Sequence, residues 1–228
     1  MENCDFYCLS FNNPERKKAM ENRFSNLGIN AFFSDGVSFE DDRIKNSNGH
    51  KRTLSFTYGH LDLIKEFYFN SEKDYGIICE DDIIIRKNLI EQLHFIVKNF
   101  KKMNLDLLLL GYLLNYKFNS YESVNEEHPF NYYSYPDSIW GAQMYMISKK
   151  QAHYLIKTYS PPYAELTLSN TNLKPFNSDW IFTKEGKRAL IYPLIAIEDG
   201  KTKYDNQSQQ KFHDECFNFN YMQDTFYE

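Results

Sequence analysis

The sequence predicts one α/β domain, built on a mixed, mostly parallel sheet with helices on its faces. Strand-like apolar runs alternate with amphipathic segments over the first 112 of 228 residues, which is typical of sheets flanked by helices. The run LDLLLLGY at 105–112 is almost continuously apolar, which favours a strand covered on both faces. No repeat or linker divides the chain, and its 42% hydrophobic content is that of a folded protein. We therefore expect a single domain over 1–228.

The first half follows helix and strand signals in regular order. Asn13 is the expected N-cap of the first helix, Pro14 its first residue and Gly28 its terminator. The polar segment 38–52 is predicted to be a loop or lid. The elements expected in this half are strand 4–11, helix 14–27, strand 29–37, loop 38–52, helix 53–69, strand 75–79, strand 83–86, helix 87–103 and strand 105–112.

The second half is less regular. A Tyr- and Asn-rich stretch over 115–138 predicts an excursion across the surface. The prolines of 160–175 predict a long loop, and Ser178 is the expected cap of a short helix. The predicted elements are strand 140–148, helix 149–159, loop 160–175, helix 178–187, one last strand 189–197 and a polar tail 198–228.

Three carboxylates interrupt the apolar run GIICEDDIII at 76–85. Adjacent carboxylates repel, and their desolvation is costly unless a cation or a donor compensates. Ligands of open α/β sheets bind beyond the carboxyl ends of strands, where this triplet lies. Glu80 and Asp82 would point to the same side of an extended segment and share one divalent cation, with Asp81 pointing elsewhere. Magnesium and manganese suit such oxygens; acids that cap the following helix are the alternative.

Charge and cysteine usage narrow the functional class. The net charge of -5 argues against a protein whose main ligand is nucleic acid. The four cysteines contain no Cys-x-x-Cys pair, so we expect reduced thiols and a cytoplasmic protein. The longest apolar run, 107–114, is too short to span a bilayer, and the first residues lack a signal-type layout. We therefore expect no membrane anchor.

Four stretches, in order, resemble glycosyltransferase family 25, the lipopolysaccharide and collagen-type galactosyltransferases. Residues 7–37 resemble the family's opening strand, its Pro-x-Arg turn and helix, and its next strand. LSFTYGHLDLIKEF at 54–67 resembles the Gly-Cys-x-x-Ser-His helix, and GIICEDDIIIRKNL at 76–89 resembles the acidic metal motif. WGAQMYMISKKQAHYLIK at 140–157 resembles the strand and helix of the acceptor half. Their order and spacing make the resemblance specific.

The resemblance implies a GT-A fold, with a nucleotide-sugar-binding half at 1–112 and an acceptor half at 113–228. It implies an inverting transfer of galactose or glucose from a UDP-sugar to a saccharide or glycoconjugate, with Mn²⁺ or Mg²⁺. Glu80 and Asp82 would hold the metal that bridges the donor diphosphate, and Asp81 would lie near the donor ribose or sugar. Arg16 would help to shape the nucleotide pocket; a surface arginine at the start of a helix is the alternative.

One motif departs from the family. Where the family has Gly-Cys-x-x-Ser-His, this chain keeps only the histidine, as His60, and Gly59 replaces the serine. A serine hydroxyl contact is therefore missing here, and the sugar specificity is open. His60 is a candidate donor contact, with a histidine packed on a helix face as the alternative.

The acceptor half carries three further candidates. Asp179, in FNSDWIF, is the candidate base that removes the proton of the acceptor hydroxyl; a first-turn carboxylate favoured by the helix dipole is the alternative. Trp140 is a candidate sugar floor or a core residue. His213 is the last histidine of the chain and the candidate third metal ligand.

Two other functions fit the residues less well. A catalytically inactive nucleotide-sugar-binding module would agree with the altered motif around His60. Two-metal phosphoryl transfer would use Glu80, Asp82 and Asp179, but it favours a basic nucleic-acid track that this acidic chain lacks.

Overall fold

A computed structural model describes residues 3–116, 123–127 and 129–227. The β-strands in this part of the chain are β1 (Cys4–Leu9), β2 (Ala31–Ser34), β3 (Tyr75–Glu80), β4 (Ile83–Arg86), β5 (Leu107–Leu113), β6 (Ser123–Glu127), β7 (Phe130–Tyr133), β8 (Trp140–Ser148), β9 (Arg188–Tyr192), β10 (Ala196–Glu198) and β11 (Phe226–Tyr227). The α-helices are α1 (Pro14–Asn26), α2 (Lys51–Asn70), α3 (Leu89–Lys102), α4 (Lys149–Thr158), α5 (Pro162–Ser169), α6 (Ser178–Ile181) and α7 (Gln207–Asn220).

These strands form one mixed sheet, which confirms the predicted α/β class. The main path runs β11-β4-β10-β5-β8-β3-β1-β2, and β9, β7 and β6 branch from β5. Parallel pairing joins β1 to β2 and β3, and β5 to β9 and β10. The other pairs among the described strands are antiparallel. The sheet therefore has less parallel pairing than the sequence suggested, because β8 enters antiparallel between β3 and β5.

Two hydrophobic clusters cover the two faces of the sheet. One contains the apolar faces of α2 and α4, and the other contains those of α1 and α3. Alternate residues of a strand point to opposite faces, so Leu107 and Leu109 of β5 join the first cluster while Leu108 and Leu110 join the second. Every residue of β5 is buried, as its unbroken apolar run predicted.

The first helix has the ends that the sequence predicted. The Asn13 side chain accepts a hydrogen bond from the Arg16 backbone N–H at 3.1 Å, and Pro14 opens the helix. Gly28 takes a left-handed conformation with φ of +66° just after the helix, a geometry that glycine adopts without steric cost. The cap fixes where the first turn of α1 begins, and with it the position of Arg16.

The second half is more ordered than predicted. The stretch 115–138 was expected to lie on the surface, but β6 and β7 form a hairpin that joins the sheet through β9; residues 117–122 and 128 of this stretch lie outside the described residues. The predicted loop 160–175 contains α5, with Pro162 in its first turn, where proline needs no backbone N–H. The prolines therefore mark the start of a helix here.

Other boundaries also differ from the prediction. The helix expected over 178–187 is α6, which ends at Ile181. The last strand is divided into β9 and β10 around Pro193, which lacks the N–H of a ladder residue. The tail contains α7 and β11, and its Phe217, Tyr221 and Phe226 pack in the first hydrophobic cluster. Asn177, not Ser178, caps α6: its side chain accepts from the Asp179 N–H at 3.0 Å.

Candidate active site

A polar cleft of about 220 Å³ opens at one edge of the sheet. It lies where β1, β3 and β10 reach their carboxyl ends and where α2 and α6 begin. Its walls carry charges of both signs. The lining residues are Arg16, His50, Arg52, Thr53, Phe56, Thr57, Glu80, Asp81, Asp82, Asn177, Ser178, Asp179, Glu198, Thr202 and Tyr204.

The predicted acid triplet lies entirely in this cleft. Glu80 ends β3, and Asp81 and Asp82 form the turn that leads into β4. Because this turn is not extended, Asp81 does not point away from its neighbours as the sequence suggested: all three residues line the cleft. Ser10, which follows β1, donates a hydrogen bond to Asp81 Oδ2 at 2.6 Å. The end of β1 thus holds the middle acid in place.

Arg16 and Thr202, which are far apart in the sequence, both contact the Asp82 carboxylate. Nη1 of Arg16 lies 3.4 Å from Asp82 Oδ2 and 3.9 Å from Asp81 Oδ1. Nη2 of Arg16 donates to Thr202 Oγ1 at 2.8 Å, and Thr202 Oγ1 donates to Asp82 Oδ2 at 3.3 Å. The other oxygen, Asp82 Oδ1, is buried and has no hydrogen-bond partner among the described residues. This oxygen is therefore desolvated without the hydrogen bond that would compensate.

His60, on the core side of the cleft, contacts the Glu80 carboxylate. Nε2 of His60 lies 3.1 Å from Glu80 Oε1, and Nδ1 of His60 lies 3.2 Å from the Tyr145 hydroxyl. The His60 side chain is fully buried and does not line the cleft, so its contact is with the carboxylate and not with the cleft space. Burial lowers the pKa of His60 to about 3, which makes the ring neutral.

Glu198 is a cleft carboxylate that the sequence analysis missed. It ends β10 and faces the acid triplet. His213 Nδ1 lies 2.5 Å from Glu198 Oε2, and Gln143 Nε2 donates to Glu198 Oε1 at 3.4 Å. The His213 ring packs against Tyr204 with centroids 4.1 Å apart. Glu198 therefore lines the cleft, and His213 contacts Glu198 from the side away from the cleft.

Asp179 lies at the start of α6 and ties it to β8. Its Oδ1 accepts backbone hydrogen bonds from Gly141 at 2.9 Å and from Ala142 at 3.0 Å. Trp140, the first residue of β8, and Trp180, the neighbour of Asp179, lie with ring centroids 6.2 Å apart and planes at 71°. Trp140 is 46% exposed, so it is not a core residue.

Burial and mutual repulsion shift the acids toward their neutral forms. Burial, followed by the charge of Glu198, raises the pKa of Asp82 to about 7, with Arg16 opposing the shift. Burial and the charges of Asp82 and Asp179 raise the pKa of Glu80 well above its usual value. Burial also raises the pKa of Asp179, and the two backbone N–H donors oppose that change. The cluster is therefore short of positive charge.

The donor set fits a hard divalent cation by its chemistry. Glu80, Asp82 and Glu198 bring carboxylate groups to one cleft, and Asp82 Oδ1 is buried without a hydrogen-bond partner among the described residues; carboxylate oxygens are the ligands that Mg²⁺ and Mn²⁺ prefer. As the side chains stand, no group of three or more His, Cys, Asp and Glu residues within 3–116, 123–127 and 129–227 is arranged to hold a metal ion. Binding would therefore require these carboxylates to close in.

The cleft brings together most of the residues singled out in the sequence. Arg16, Glu80, Asp81, Asp82 and Asp179 line it, whereas His60 and His213 lie one layer behind it. Besides Glu198, His50 and Arg52 at the start of α2 line the cleft without having been predicted from the sequence. Glu198 had a visible signal, because it ends an apolar run as Glu80 does; His50 and Arg52 lay in a segment expected to be an undefined loop.

No helix in the described ranges is long and apolar enough to cross a membrane. The family model of glycosyltransferase family 25, described as an LPS biosynthesis protein, matches residues 4–167. No curated protein matches the chain.

Solved structures with similar backbones have low sequence identity to this chain. A197 from STIV aligns at a TM-score of 0.45 with 12% identity, over 82% of this chain and 80% of that one. A glycosyltransferase involved in the glycosylation of the major capsid of PBCV-1 aligns at 0.45 with 11% identity, over 93% and 98%. HddC from Yersinia pseudotuberculosis, complexed with GMP-PN, aligns at 0.38 with 16% identity, over 93% and 99%.

The raised pKa of Asp82 predicts how stability depends on pH. The pKa of an unfolded aspartate is about 3.9, whereas burial raises the pKa of Asp82 to about 7 in the fold. Between these values the folded state holds the extra proton, so the free energy of unfolding falls as pH rises. Asp82→Asn removes this loss, and the variant should gain on the order of a few kcal/mol relative to wild type between pH 5 and pH 8.

Urea unfolding of both proteins at pH 5, 6, 7 and 8, without divalent cations, measures this gain. Leu166→Ala, at a 53% exposed and non-ionisable position on α5, is the control and should differ from wild type by a constant amount. A difference between Asp82→Asn and wild type that does not change with pH would contradict the proposed ionisation.

Proposed function

The chain belongs to glycosyltransferase family 25, and from this premise we propose that it transfers a sugar, galactose or glucose, from a UDP-linked donor to a hydroxyl of a saccharide or glycoconjugate. The proposed reaction depends on Mn²⁺ or Mg²⁺ and inverts the anomeric centre. One observation carries the proposal: partly buried carboxylates with raised pKa values converge on one cleft, and one oxygen of Asp82 has no hydrogen-bond partner among the described residues. Such a cluster lacks the positive charge that a bound divalent cation would supply.

The donor would bind at the acid side of the cleft. Glu80 and Asp82 would hold the cation, with Glu198 as the nearer third carboxylate and His213 behind it at 2.5 Å. A bound cation would offset the charge that develops on the leaving UDP. Arg16, 30% exposed along its side chain, can turn from Asp82 toward a diphosphate oxygen, because guanidinium groups bind phosphate with paired N–H donors.

Asp81 would contact the donor ribose or sugar. Its Oδ2 already accepts the Ser10 hydroxyl at 2.6 Å, and its carboxylate lines the cleft. Both the Ser10 bond and Arg16 oppose the rise that burial causes in the pKa of Asp81. An ionised Asp81 can accept a hydrogen bond from a sugar hydroxyl.

Asp179 would act as the base toward the acceptor hydroxyl. Its pKa is raised by burial, which makes a carboxylate a better proton acceptor near neutral pH. Only Oδ1 is engaged by the backbone of β8, which leaves Oδ2 for the acceptor. Trp140 and Trp180 flank this residue, and the face of an exposed indole ring suits the C–H face of a pyranose.

Loss of the metal-binding carboxylate tests the donor side. Asp82→Ala should abolish Mn²⁺-dependent release of nucleotide, while circular dichroism and thermal unfolding show an intact fold. Wild type should be screened first with UDP-, GDP- and CMP-sugars, and we expect release from a UDP-sugar. Asp42→Ala, which changes an exposed acid on the loop before α2, is the matched control and should keep full turnover.

Unchanged turnover in Asp82→Ala would overturn the assignment. Calorimetric binding of UDP to wild type, without release from any donor sugar, would favour an inactive nucleotide-sugar-binding module instead. Cleavage of DNA or RNA with Mg²⁺ by the same preparation would favour phosphoryl transfer.

Two substitutions at Asp179 separate its chemistry from its structural role. An asparagine oxygen can still accept from Gly141 and Ala142, so Asp179→Asn should keep the fold and UDP binding but lower transfer by about 100- to 10,000-fold. Asp179→Ala should show the same loss of transfer and, because two backbone N–H groups lose their acceptor, a lower unfolding temperature. Transfer by Asp179→Asn within a few-fold of wild type would exclude Asp179 as the base.

A further inference from the structure

A hydrogen-bond network links the sheet, through α2, to the Glu80 carboxylate, a candidate metal ligand. The Tyr145 hydroxyl on β8 meets His60 Nδ1 at 3.2 Å, and His60 Nε2 meets Glu80 Oε1 at 3.1 Å. Tyr145 and His60 are both fully buried, whereas the Glu80 side chain is 20% exposed and lines the cleft. The hydrogen-bond network thus begins in the core and ends at the cleft.

Packing leaves the His60 ring one orientation. Tyr145 lies beside it with ring centroids 5.8 Å apart and planes at 30°, and Phe182 lies on another side at 6.2 Å and 44°. Each ring nitrogen has a single polar partner. A ring that flipped would lose both hydrogen bonds and leave polar atoms buried without partners, which is costly.

The hydrogen-bond partners of His60 also bear on which of its two ring nitrogens carries the hydrogen. An ionised carboxylate only accepts hydrogen bonds, so a cation-binding Glu80 requires His60 to donate from Nε2. Nδ1 then carries the lone pair and accepts from the Tyr145 hydroxyl, which can donate. An ionised Glu80 therefore selects the His60 tautomer with the hydrogen on Nε2, and Tyr145 provides a hydrogen-bond partner for Nδ1 in that tautomer.

We propose that His60 is a positioning residue, which holds Glu80 in the orientation that binds the divalent cation, with the Tyr145 hydroxyl bonded to its other ring nitrogen. The inference rests on the proposed function, because it assumes that Glu80 binds a cation. It differs from the donor contact suggested by the sequence, since a fully buried ring has no surface to offer a donor. Without this hydrogen bond, repulsion from Asp82, Asp179 and Glu198 would turn the Glu80 carboxylate out of the cation site.

Three variants test the role of the ring. His60→Leu removes the donor with an apolar side chain, His60→Gln restores an N–H toward Glu80, and Tyr145→Phe removes the hydroxyl that bonds to the second ring nitrogen of His60. Tyr112→Phe is the control: it deletes another buried hydroxyl, which donates to the Ile191 carbonyl oxygen at 2.9 Å and is not part of the hydrogen-bond network.

The affinity for Mn²⁺ is the main readout. Electron paramagnetic resonance titration of Mn²⁺ in the presence of UDP, on variants that keep the wild-type circular dichroism, gives the dissociation constant without any turnover. His60→Leu should weaken Mn²⁺ binding by about 10- to 100-fold, the usual effect of removing a residue that orients a metal ligand. His60→Gln should recover most of the loss, Tyr145→Phe should be intermediate, and Tyr112→Phe should match wild type. In turnover assays, the Mn²⁺ concentration that gives half-maximal rate should rise by a larger factor than kcat falls.

A second readout observes the ring itself. Long-range ¹H–¹⁵N spectra with Mg²⁺ and UDP, with the His60 signal assigned by its loss in His60→Gln, should show a neutral ring protonated at Nε2. Protonation at Nδ1 would overturn the proposal, and so would wild-type Mn²⁺ affinity in a folded His60→Leu.

The outcome also separates this inference from the proposed function. If Glu80→Gln loses Mn²⁺ binding but His60→Leu keeps it, the cation site stands and the positioning role is wrong. If neither wild type nor any variant binds Mn²⁺ with UDP, the proposed function fails, and the role of His60 fails with it.

Discussion

Repulsion among carboxylates is the constraint on which this cleft depends. Glu80 and Asp82 from one side of the sheet and Glu198 from the other meet in a space that burial keeps poor in water. Each acid therefore needs a partner. Arg16 brings a full positive charge to within 3.4 Å of Asp82, and the neutral His60 ring contacts Glu80 at 3.1 Å. These partners do not satisfy the cluster, since one buried oxygen of Asp82 has no hydrogen bond within the part of the chain that the structure describes.

The fold is what forces these acids together. β3 and β10 are separated in the sheet by β5 and β8, yet the turn after β3 carries the chain across to β4, which pairs with β10. The backbone N–H of Asp199 donates to the Asp82 carbonyl oxygen at 2.7 Å, which joins the two acidic segments directly. The same edge receives the start of α1, and its Asn13 cap sets the position of Arg16. Backbone contacts therefore fix where the segments that carry these charges lie, while the side chains can still turn within the cleft.

The sequence predicted one side of this site better than the other. Acids at the end of an apolar run identified Glu80 and its neighbours, and the cap before Arg16 was clear from the sequence. The same rule, applied to the apolar run that Glu198 follows, predicts the opposite acid as well. The role of His60 was not visible in the sequence, because it depends on Tyr145, 85 residues away. Only tertiary packing decides whether a helix histidine faces a ligand or a carboxylate.

The central claim is that a divalent cation completes the charge balance of these acids. It is tested most directly by the number of protons released when Mn²⁺ binds in the presence of UDP at pH 6, from calorimetry in buffers of different ionisation enthalpy. Since Asp82 titrates at about 7 and must ionise to bind the cation, we predict the release of about one proton or more, and a smaller release in Asp82→Asn. Binding of Mn²⁺ with no proton release, or no binding at all, would contradict the account.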